Sequence, residues 1–244
     1  MNVMINDSAA GLGMAAAKQA GNLLRQAIER NGTANLVLAT GTSQFETLKH
    51  LLTEKVSWDQ VSLFHLDEYI GLPRTHPASF RRYLTERFIS KVPLKEVHLI
   101  DGEANPASEC ARLAGVLSGR RLDVTLAGIG ENGHIAFNDP PADFDAETPF
   151  LVVRLDEACR RQQLNEGWFQ TLSEVPQRAI SMSVKQIMNS HNIICSVPGK
   201  RKAAAVKNCL EGPVTPHCPA SVLQRHVNCH LYLDREAASL LNRS

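Results

Sequence analysis

The chain has 244 residues, of which 43% are hydrophobic and 21% charged, so it can bury a large core and is not intrinsically disordered. Its 26 basic and 25 acidic side chains nearly cancel, which argues against a nucleic-acid partner but leaves room for a local anion site. No stretch approaches the roughly 18 apolar residues of a membrane span, and the first residues lack a signal-peptide pattern, so we expect a cytoplasmic protein without a membrane partner.

Strand-like and helix-like segments alternate along the whole chain. Short apolar runs predict strands at 35–40, 61–66, 97–100, 122–128, 179–183, 192–197 and 229–233. Helical spacing predicts helices at 9–30, 42–53, 77–89, 106–118, 200–210 and 234–242. This alternation predicts one α/β domain over residues 1–244, built as three α/β/α layers around a mostly parallel, doubly wound (Rossmann-like) sheet.

Residues 138–178 form the least regular stretch and are rich in Asp, Pro and Glu. We expect them to hold a loop and a helical cover over a site. The six cysteines are scattered, with no CxxC pair, so we expect reduced, packed thiols and no zinc centre.

Ligands of open α/β sheets bind outside the carboxyl ends of the strands, and unusual residues follow several predicted strands here. Thr40, Gly41, Thr42 and Ser43 follow the first one and lead into a helix. Hydroxyl groups and free N–H groups at this turn suit a phosphate. An ordinary turn with a helix N-cap is the alternative, because the Lys of a P-loop is missing.

Two consecutive carboxylates, Asp67 and Glu68, follow the next strand. A carboxylate at this position is well placed to act as a general base. An acidic turn that solvates the strand end is an equally good interpretation.

A third strand end reads "LAGIGENGHIAFNDP" over residues 126–140 and brings His134 together with Asn132, Asn138 and Asp139. A carboxylate beside an imidazole fixes its tautomer and raises its proton affinity, which favours a proton carrier near neutral pH. The alternative is a tight turn in which the histidine has a structural role and its ring nitrogens form hydrogen bonds within the protein.

Basic residues open the helix after a later strand, at Lys200, Arg201 and Lys202. Basic side chains oppose the dipole at a helix start, and an anion bound there would explain their presence. A solvated basic turn explains them nearly as well.

Together these motifs resemble the glucosamine-6-phosphate deaminase (isomerase) family, within the superfamily that includes 6-phosphogluconolactonase. The resemblance covers nearly the whole chain, and "LDEYIGL…HPASF" and "GIGENGHIAFNDP" are specific to its deaminase branch. It implies that glucosamine 6-phosphate, the small-molecule partner, and water give fructose 6-phosphate and ammonium, with no metal and no cofactor.

The resemblance also implies roles for single residues. Asp67 looks like the base that moves a proton between C2 and C1, and His134 like the group that assists ring opening, supported by Asp139 and Asn132. The phosphate-binding positions match Thr40, Gly41, Thr42, Ser43 and Lys202. Glu68 and Gly133 are placed with the substrate-binding residues.

Several positions depart from the family pattern. Asn132 stands where several members have aspartate, and Asp139 is one methylene shorter than the usual glutamate. A phosphate-binding arginine of some members is absent, with "GWF" (167–169) near its place. These departures leave open another substrate, such as galactosamine 6-phosphate, or a related isomerase with the same mechanism. The alternatives to this family function are a lactonase-type hydrolase, which would need the histidine but not Asp67, and a phosphosugar sensor without turnover. A homo-oligomer is compatible with the sequence, in which no surface stripe decides the oligomeric state.

Overall fold

A computed structural model describes residues 1–242, in which ten strands form two sheets. The strands are β1 (Asn2–Asn6), β2 (Ala34–Leu38), β3 (Val61–His65), β4 (Asp67–Tyr69), β5 (Glu96–His98), β6 (Val124–Ala127), β7 (Phe150–Arg154), β8 (Arg178–Met182), β9 (Asn192–Val197) and β10 (Cys229–Asp234). The larger sheet has the order β1-β10-β9-β6-β2-β3-β5, and all of its strand pairs are parallel.

Helices connect the strands. They are α1 (Ala9–Asn31), α2 (Phe45–Leu51), α3 (Phe80–Arg87), α4 (Pro106–Leu117), α5 (Glu157–Asn165), α6 (Val184–Met188) and α7 (Ala203–Glu211). Local sequence sets their ends: the Ser8 side chain caps the first turn of α1, and Gly32, with φ 75°, ends that helix in the left-handed conformation. Asn105 caps α4, which begins at Pro106.

Successive residues of a strand pack into two different cores, one on each face of the larger sheet. Leu36 and Leu38 of β2 face the core formed with α1, α2 and α3, whereas Val37 faces the core formed with α4, α6 and α7. Both faces of the parallel sheet are therefore covered. The predicted three-layer α/β/α architecture with a mostly parallel, doubly wound sheet is confirmed.

The smaller sheet is antiparallel and has the order β4-β8-β7. The apolar run at 179–183 does form a strand, but it lies in this second sheet. The chain changes sheets at Leu66, whose N–H donates to Leu38 of β2 and whose carbonyl accepts from Met182 of β8. An apolar run alone does not specify which strands it pairs with.

The predicted helix at 234–242 is wrong, because residues 235–240 form hydrogen-bonded turns. The Asp234 carboxylate accepts from the N–H groups of Gly199 and Ala237, which ties this segment to the loop after β9. A short segment with that competing contact does not gain enough to nucleate a helix. The cover expected within 138–178 is present as α5.

The strand order reverses between β2 and β6, where the chain winds outward in both directions. Such a switch point opens a crevice at the carboxyl ends of the two strands. No helix within residues 1–242 combines the length and the apolar composition needed to cross a membrane.

Candidate active site

A cleft of about 400 Å³ opens at this switch point, a size suited to a small ligand. Segments after β2, β3, β6 and β9 line it, and α5 forms one wall. The expected site residues among its lining are Thr40, Gly41, Thr42, Ser43, Asp67, His134 and Lys202. The structure thus brings together four segments that are far apart in sequence.

The loop after β2 is shaped by Gly41, whose φ of 92° strongly favours glycine. A short 3₁₀ turn over Thr42–Gln44 then leads into α2, and the hydroxyl of Tyr83 donates to the Gly41 carbonyl at 2.9 Å. Buried Gln44 donates to the carbonyls of Ala127 and Ser196 at 3.3 and 3.4 Å. The ends of β2, β6 and β9 are thereby fastened to one another.

Asp67 lies at the base of the cleft, with only 6% of its surface exposed. Burial, together with the nearby charges of Glu68 and Asp139, raises the pKa of this carboxyl to about 8. A carboxyl that titrates near neutral pH can both accept and return a proton, as a general acid–base catalyst must.

Glu68, expected among the substrate-binding residues, instead points away from the cleft and is completely buried. Its carboxylate accepts from the Ser79 hydroxyl at 3.0 Å and from the N–H groups of Tyr69, Phe80 and Arg81. Burial raises its pKa, and those hydrogen bonds oppose the rise. Glu68 therefore fixes the start of α3 against β4 and has no contact with the cleft.

Replacing Glu68 by Ala is expected to lower the free energy of unfolding by roughly 3 kcal/mol or more, because several buried donors lose their acceptor. Glu103→Ala is the matched control, since this half-exposed carboxylate also binds Arg81, at 3.0 Å, but from the surface. We expect the control to cost less than about 1 kcal/mol in urea unfolding. Equal losses for the two variants would contradict this assignment.

His134 faces the cleft, and the space for its ring depends on Gly130. A Cβ on Gly130 would lie 2.2–2.3 Å from three atoms of the imidazole. The two residues are also joined by the Gly130 N–H, which donates to the His134 carbonyl at 3.0 Å. Any side chain at position 130 would therefore displace the ring.

Acidic support for His134 comes from Asp139, whose Oδ1 lies 3.2 Å from Nδ1 of the imidazole at an angle too oblique for a hydrogen bond. Asn132 Nδ2 donates to both Asp139 and Asp156 at 3.2 Å, while its Oδ1 accepts from the His134 N–H at 3.1 Å. Burial raises the pKa of Asp139, but the contacts with His134, Asp156 and Asn132 outweigh it and lower the pKa overall. Asp139 is therefore held as a carboxylate beside the imidazole.

Gly133, also expected to bind substrate, does not line the cleft. It has φ 83° and packs against Cys218, whose Sγ would lie 3.1 Å from a Cβ at this position. Its function is to turn the chain between Asn132 and His134.

Lys202 closes the cleft opposite α5. It ends a 3₁₀ turn that begins after Gly199, with φ 94°. Burial lowers the pKa of the ammonium, while Glu166 and Glu131 oppose the change. Within residues 1–242, no carboxylate oxygen lies within 4.0 Å of its Nζ, so the charge is available to an anion in the cleft.

One cluster of metal-donor side chains exists in the described part of the chain. It consists of His134, Asp139 and Cys159, whose donor atoms lie within 4.8 Å of one another. Burial and the charges of Asp139 and Asp156 raise the pKa of the Cys159 thiol well above its usual range. A protonated thiol is a poor metal ligand, which agrees with the expectation of no metal site. That expectation stays a prediction.

Comparison with known proteins identifies the family. Residues 7–231 match the model of the family described as glucosamine-6-phosphate isomerases/6-phosphogluconolactonase. The chain belongs to this family. It is 40% identical to glucosamine-6-phosphate deaminase of Listeria innocua, over 93% of this chain and 96% of that protein. It is 37% identical to the enzyme of that name from Lactobacillus delbrueckii subsp. bulgaricus, over 99% of this chain and 100% of that protein.

Solved structures of the isomerase–lactonase family share the fold. A monomeric glucosamine-6-phosphate deaminase superposes with a TM-score of 0.90 at 34% identity, covering 98% of this chain and 100% of that one. The 6-phosphogluconolactonase of Trypanosoma brucei gives a TM-score of 0.83 at 18% identity, covering 99% and 98%, which shows the fold alone.

Residues that the family motifs do not contain complete the site. Gln162, Gln163 and Glu166 on and after α5 line the cleft. Asp156 caps α5 and holds Asn132, so it connects the cover to the histidine loop. An Asp before a helical segment is a recognisable N-cap signal, and a helical cover is expected within 138–178, but the sequence does not indicate which side chains of that cover face the cleft.

Proposed function

We propose that this protein converts glucosamine 6-phosphate and water to fructose 6-phosphate and ammonium. The reaction is an internal redistribution of hydrogen between C1 and C2, followed by hydrolytic loss of the amino group, so it needs no external oxidant. Near-full-length relatives that carry this activity in their names, at 37–40% identity, support the proposal.

Anchoring of the sugar phosphate is the first requirement. The loop Thr40–Ser43 and Lys202 line the same end of the cleft and supply N–H groups, hydroxyls and an ammonium. A phosphate held there would fix the sugar at one end. Proton transfer at its other end then becomes an intramolecular step with a high effective concentration of the base.

Asp67 is the proposed base. In its ionised form it takes the proton from C2 of the open-chain sugar and returns it to C1, through an enediol-type intermediate. Its raised pKa suits both halves of this shuttle, because the acid formed in the first half must release its proton in the second.

His134 is the proposed group for ring opening. It would transfer a proton between the anomeric hydroxyl and the ring oxygen of the bound pyranose. Asp139 lies 3.2 Å from the imidazole, and Asn132 accepts from the His134 N–H, so these two side chains hold the imidazole loop in position. The shorter side chain of Asp139 still reaches the ring region, at 3.2 Å, so this departure from the family pattern is accommodated.

The observation that supports the proposal is the convergence of Asp67 and His134 on one cleft that is also lined by the Thr40–Ser43 loop and Lys202. Purified protein is to be incubated with glucosamine 6-phosphate and, separately, galactosamine 6-phosphate, while ammonium and ketose phosphate are measured. Release of both products in equal amounts from glucosamine 6-phosphate is expected. Turnover of the galacto sugar alone, or of 6-phosphogluconolactone without ammonium, would replace the proposal by one of the alternative reactions.

The pH dependence of this reaction follows from Asp67. Since its pKa is about 8 and the base must be ionised, kcat at saturating substrate is expected to fall about tenfold per pH unit below pH 8. Asp139→Asn is expected to move this acidic limb to lower pH, because the Asp139 charge contributes to the raised pKa. An acidic limb of the pH–rate profile near pH 4 in the protein without substitutions would contradict the assignment of Asp67 as the base.

A further inference from the structure

A carboxylate faces the anion-binding loop of the cleft. Oε2 of Glu166 lies 3.5 Å from the backbone nitrogen of Thr42 and 3.6 Å from the position that a Cβ on Gly41 would take. An acidic side chain is unexpected at this place, because the loop and Lys202 otherwise form an end suited to negative charge.

Glu166 is held in place by neutral donors. Its carboxylate accepts from Gln162 Nε2 at 3.0 Å and from Trp168 Nε1 at 3.4 Å. Among residues 1–242, no Lys or Arg nitrogen lies within 4.0 Å of it, and Arg201 pairs with Glu131 at 3.6 Å instead. The carboxylate therefore forms no direct ion pair and faces any group bound on the loop, while its charge acts on Lys202 from a greater distance.

A phosphate ester has two ionised forms near neutral pH, because its second pKa is about 6. The dianion would meet Glu166 with like charge. The monoanion retains one P–OH group, which can donate a short hydrogen bond to the carboxylate while its other oxygens accept from the loop and from Lys202. A sulfate ester of the same shape carries no such proton at these pH values.

We propose that Glu166 is a specificity-determining residue that accepts a hydrogen bond from a singly protonated phosphate of the substrate and thereby selects phosphate esters against sulfate esters. This inference rests on the proposed phosphosugar substrate and specifies the ionic form in which it binds. It predicts that phosphate-ester affinity follows the fraction of monoanion and falls as the pH rises above about 6.

Other charged and titratable groups face Glu166 from the surrounding elements. Lys202 and Glu131 lie across the cleft, and the hydroxyls of Tyr69 and Tyr83 lie on β4 and α3. Burial raises the pKa of both tyrosines, so they stay neutral through the range of the test. The remaining groups are unchanged in a Glu166 variant, so a comparison of the two proteins isolates the carboxylate.

The test uses glucose 6-phosphate and glucose 6-sulfate, which lack the amino group, in calorimetric titrations at about pH 5.5 and about pH 7.5. The protein is expected to bind the phosphate ester roughly 20-fold more tightly at the lower pH, in line with the monoanion fraction, and to bind the sulfate ester at least roughly tenfold more weakly than the phosphate ester at that pH. Glu166→Gln is expected to gain sulfate-ester affinity and to lose most of the pH dependence. Glu157→Gln, at an exposed position in the first turn of α5, serves as the control and should behave like the parent protein.

Three outcomes would overturn the inference. The first is equal affinity of the parent protein for the two esters. The second is an equal gain in affinity for both esters in Glu166→Gln, which would indicate simple charge repulsion. The third is an undiminished pH dependence of binding in that variant. Binding and turnover are measured separately, so the two proposals fail separately. Selection of phosphate over sulfate esters without ammonium release would contradict only the proposed reaction. Ammonium release without that selection would contradict only the role of Glu166.

Discussion

Asp67→Asn is expected to lower kcat/KM for glucosamine 6-phosphate by about three orders of magnitude, because an amide cannot take the C2 proton. The isosteric change leaves the Thr40–Ser43 loop and Lys202 intact. Binding of glucose 6-phosphate should therefore survive, which calorimetry can check. A variant with kcat/KM within about tenfold of the parent value would remove Asp67 from the reaction.

The stability of this variant provides an internal control. The folded chain keeps the Asp67 proton up to about pH 8, whereas an ordinary aspartate releases it near 3.8. The free energy of unfolding therefore falls as the pH rises between those values, and Asn removes that loss. Thermal unfolding of Asp67→Asn should occur a few degrees higher than that of the parent at about pH 7.5, with little difference at about pH 4.

Gly130→Ala is expected to lower kcat/KM by about 100-fold or more, because the new methyl group would occupy the space of the His134 imidazole. The backbone at this position does not have positive φ, so the effect is one of close approach. Steady-state kinetics measures the loss, and glucose 6-phosphate titration checks that the proposed phosphate site remains formed.

Gly115→Ala in α4 is the matched control. No atom lies within 4 Å of a Cβ built there, and alanine in an exposed helix position is expected to stabilise the protein slightly. Its kcat/KM should equal that of the parent. Unchanged kinetics in Gly130→Ala would show that the imidazole position is not critical to the reaction.

The main elements of the fold could be predicted from the sequence because buried parallel strands are continuous apolar runs. All seven predicted runs are strands in the structure. The sequence did not predict β1 and β7, in which most residues are partly or fully exposed. β4 was missed because it begins directly after β3 and its first two residues are acidic.

The convergence of strand ends could also be anticipated, since parallel strands present their carboxyl ends at one edge of the sheet. The roles of individual side chains could not be predicted from the sequence. Glu68 stands next to Asp67 in sequence but on the opposite side of β4, because successive strand residues point to opposite faces. Gly130 lies in a glycine-rich motif whose pattern does not indicate what approaches it, and its structural function is to admit the imidazole.

The cover was the least predictable part of the site. Glu166 follows α5 in a segment without a motif, and only the folded chain places it 3.5 Å from Thr42, at a sequence separation of 124 residues. The same limit applies to Asp156, whose N-cap role is local but whose contact with Asn132 is not.

Loss of deuterium from glucosamine 6-phosphate labelled at C2 tests most directly whether Asp67 acts on the anchored sugar. In ordinary water, NMR should show the label leaving C2 as ammonium appears, with part of it at one C1 position of fructose 6-phosphate, and Asp67→Asn should leave C2 labelled. Label loss from the variant at the parent rate would mean that another group removes this proton.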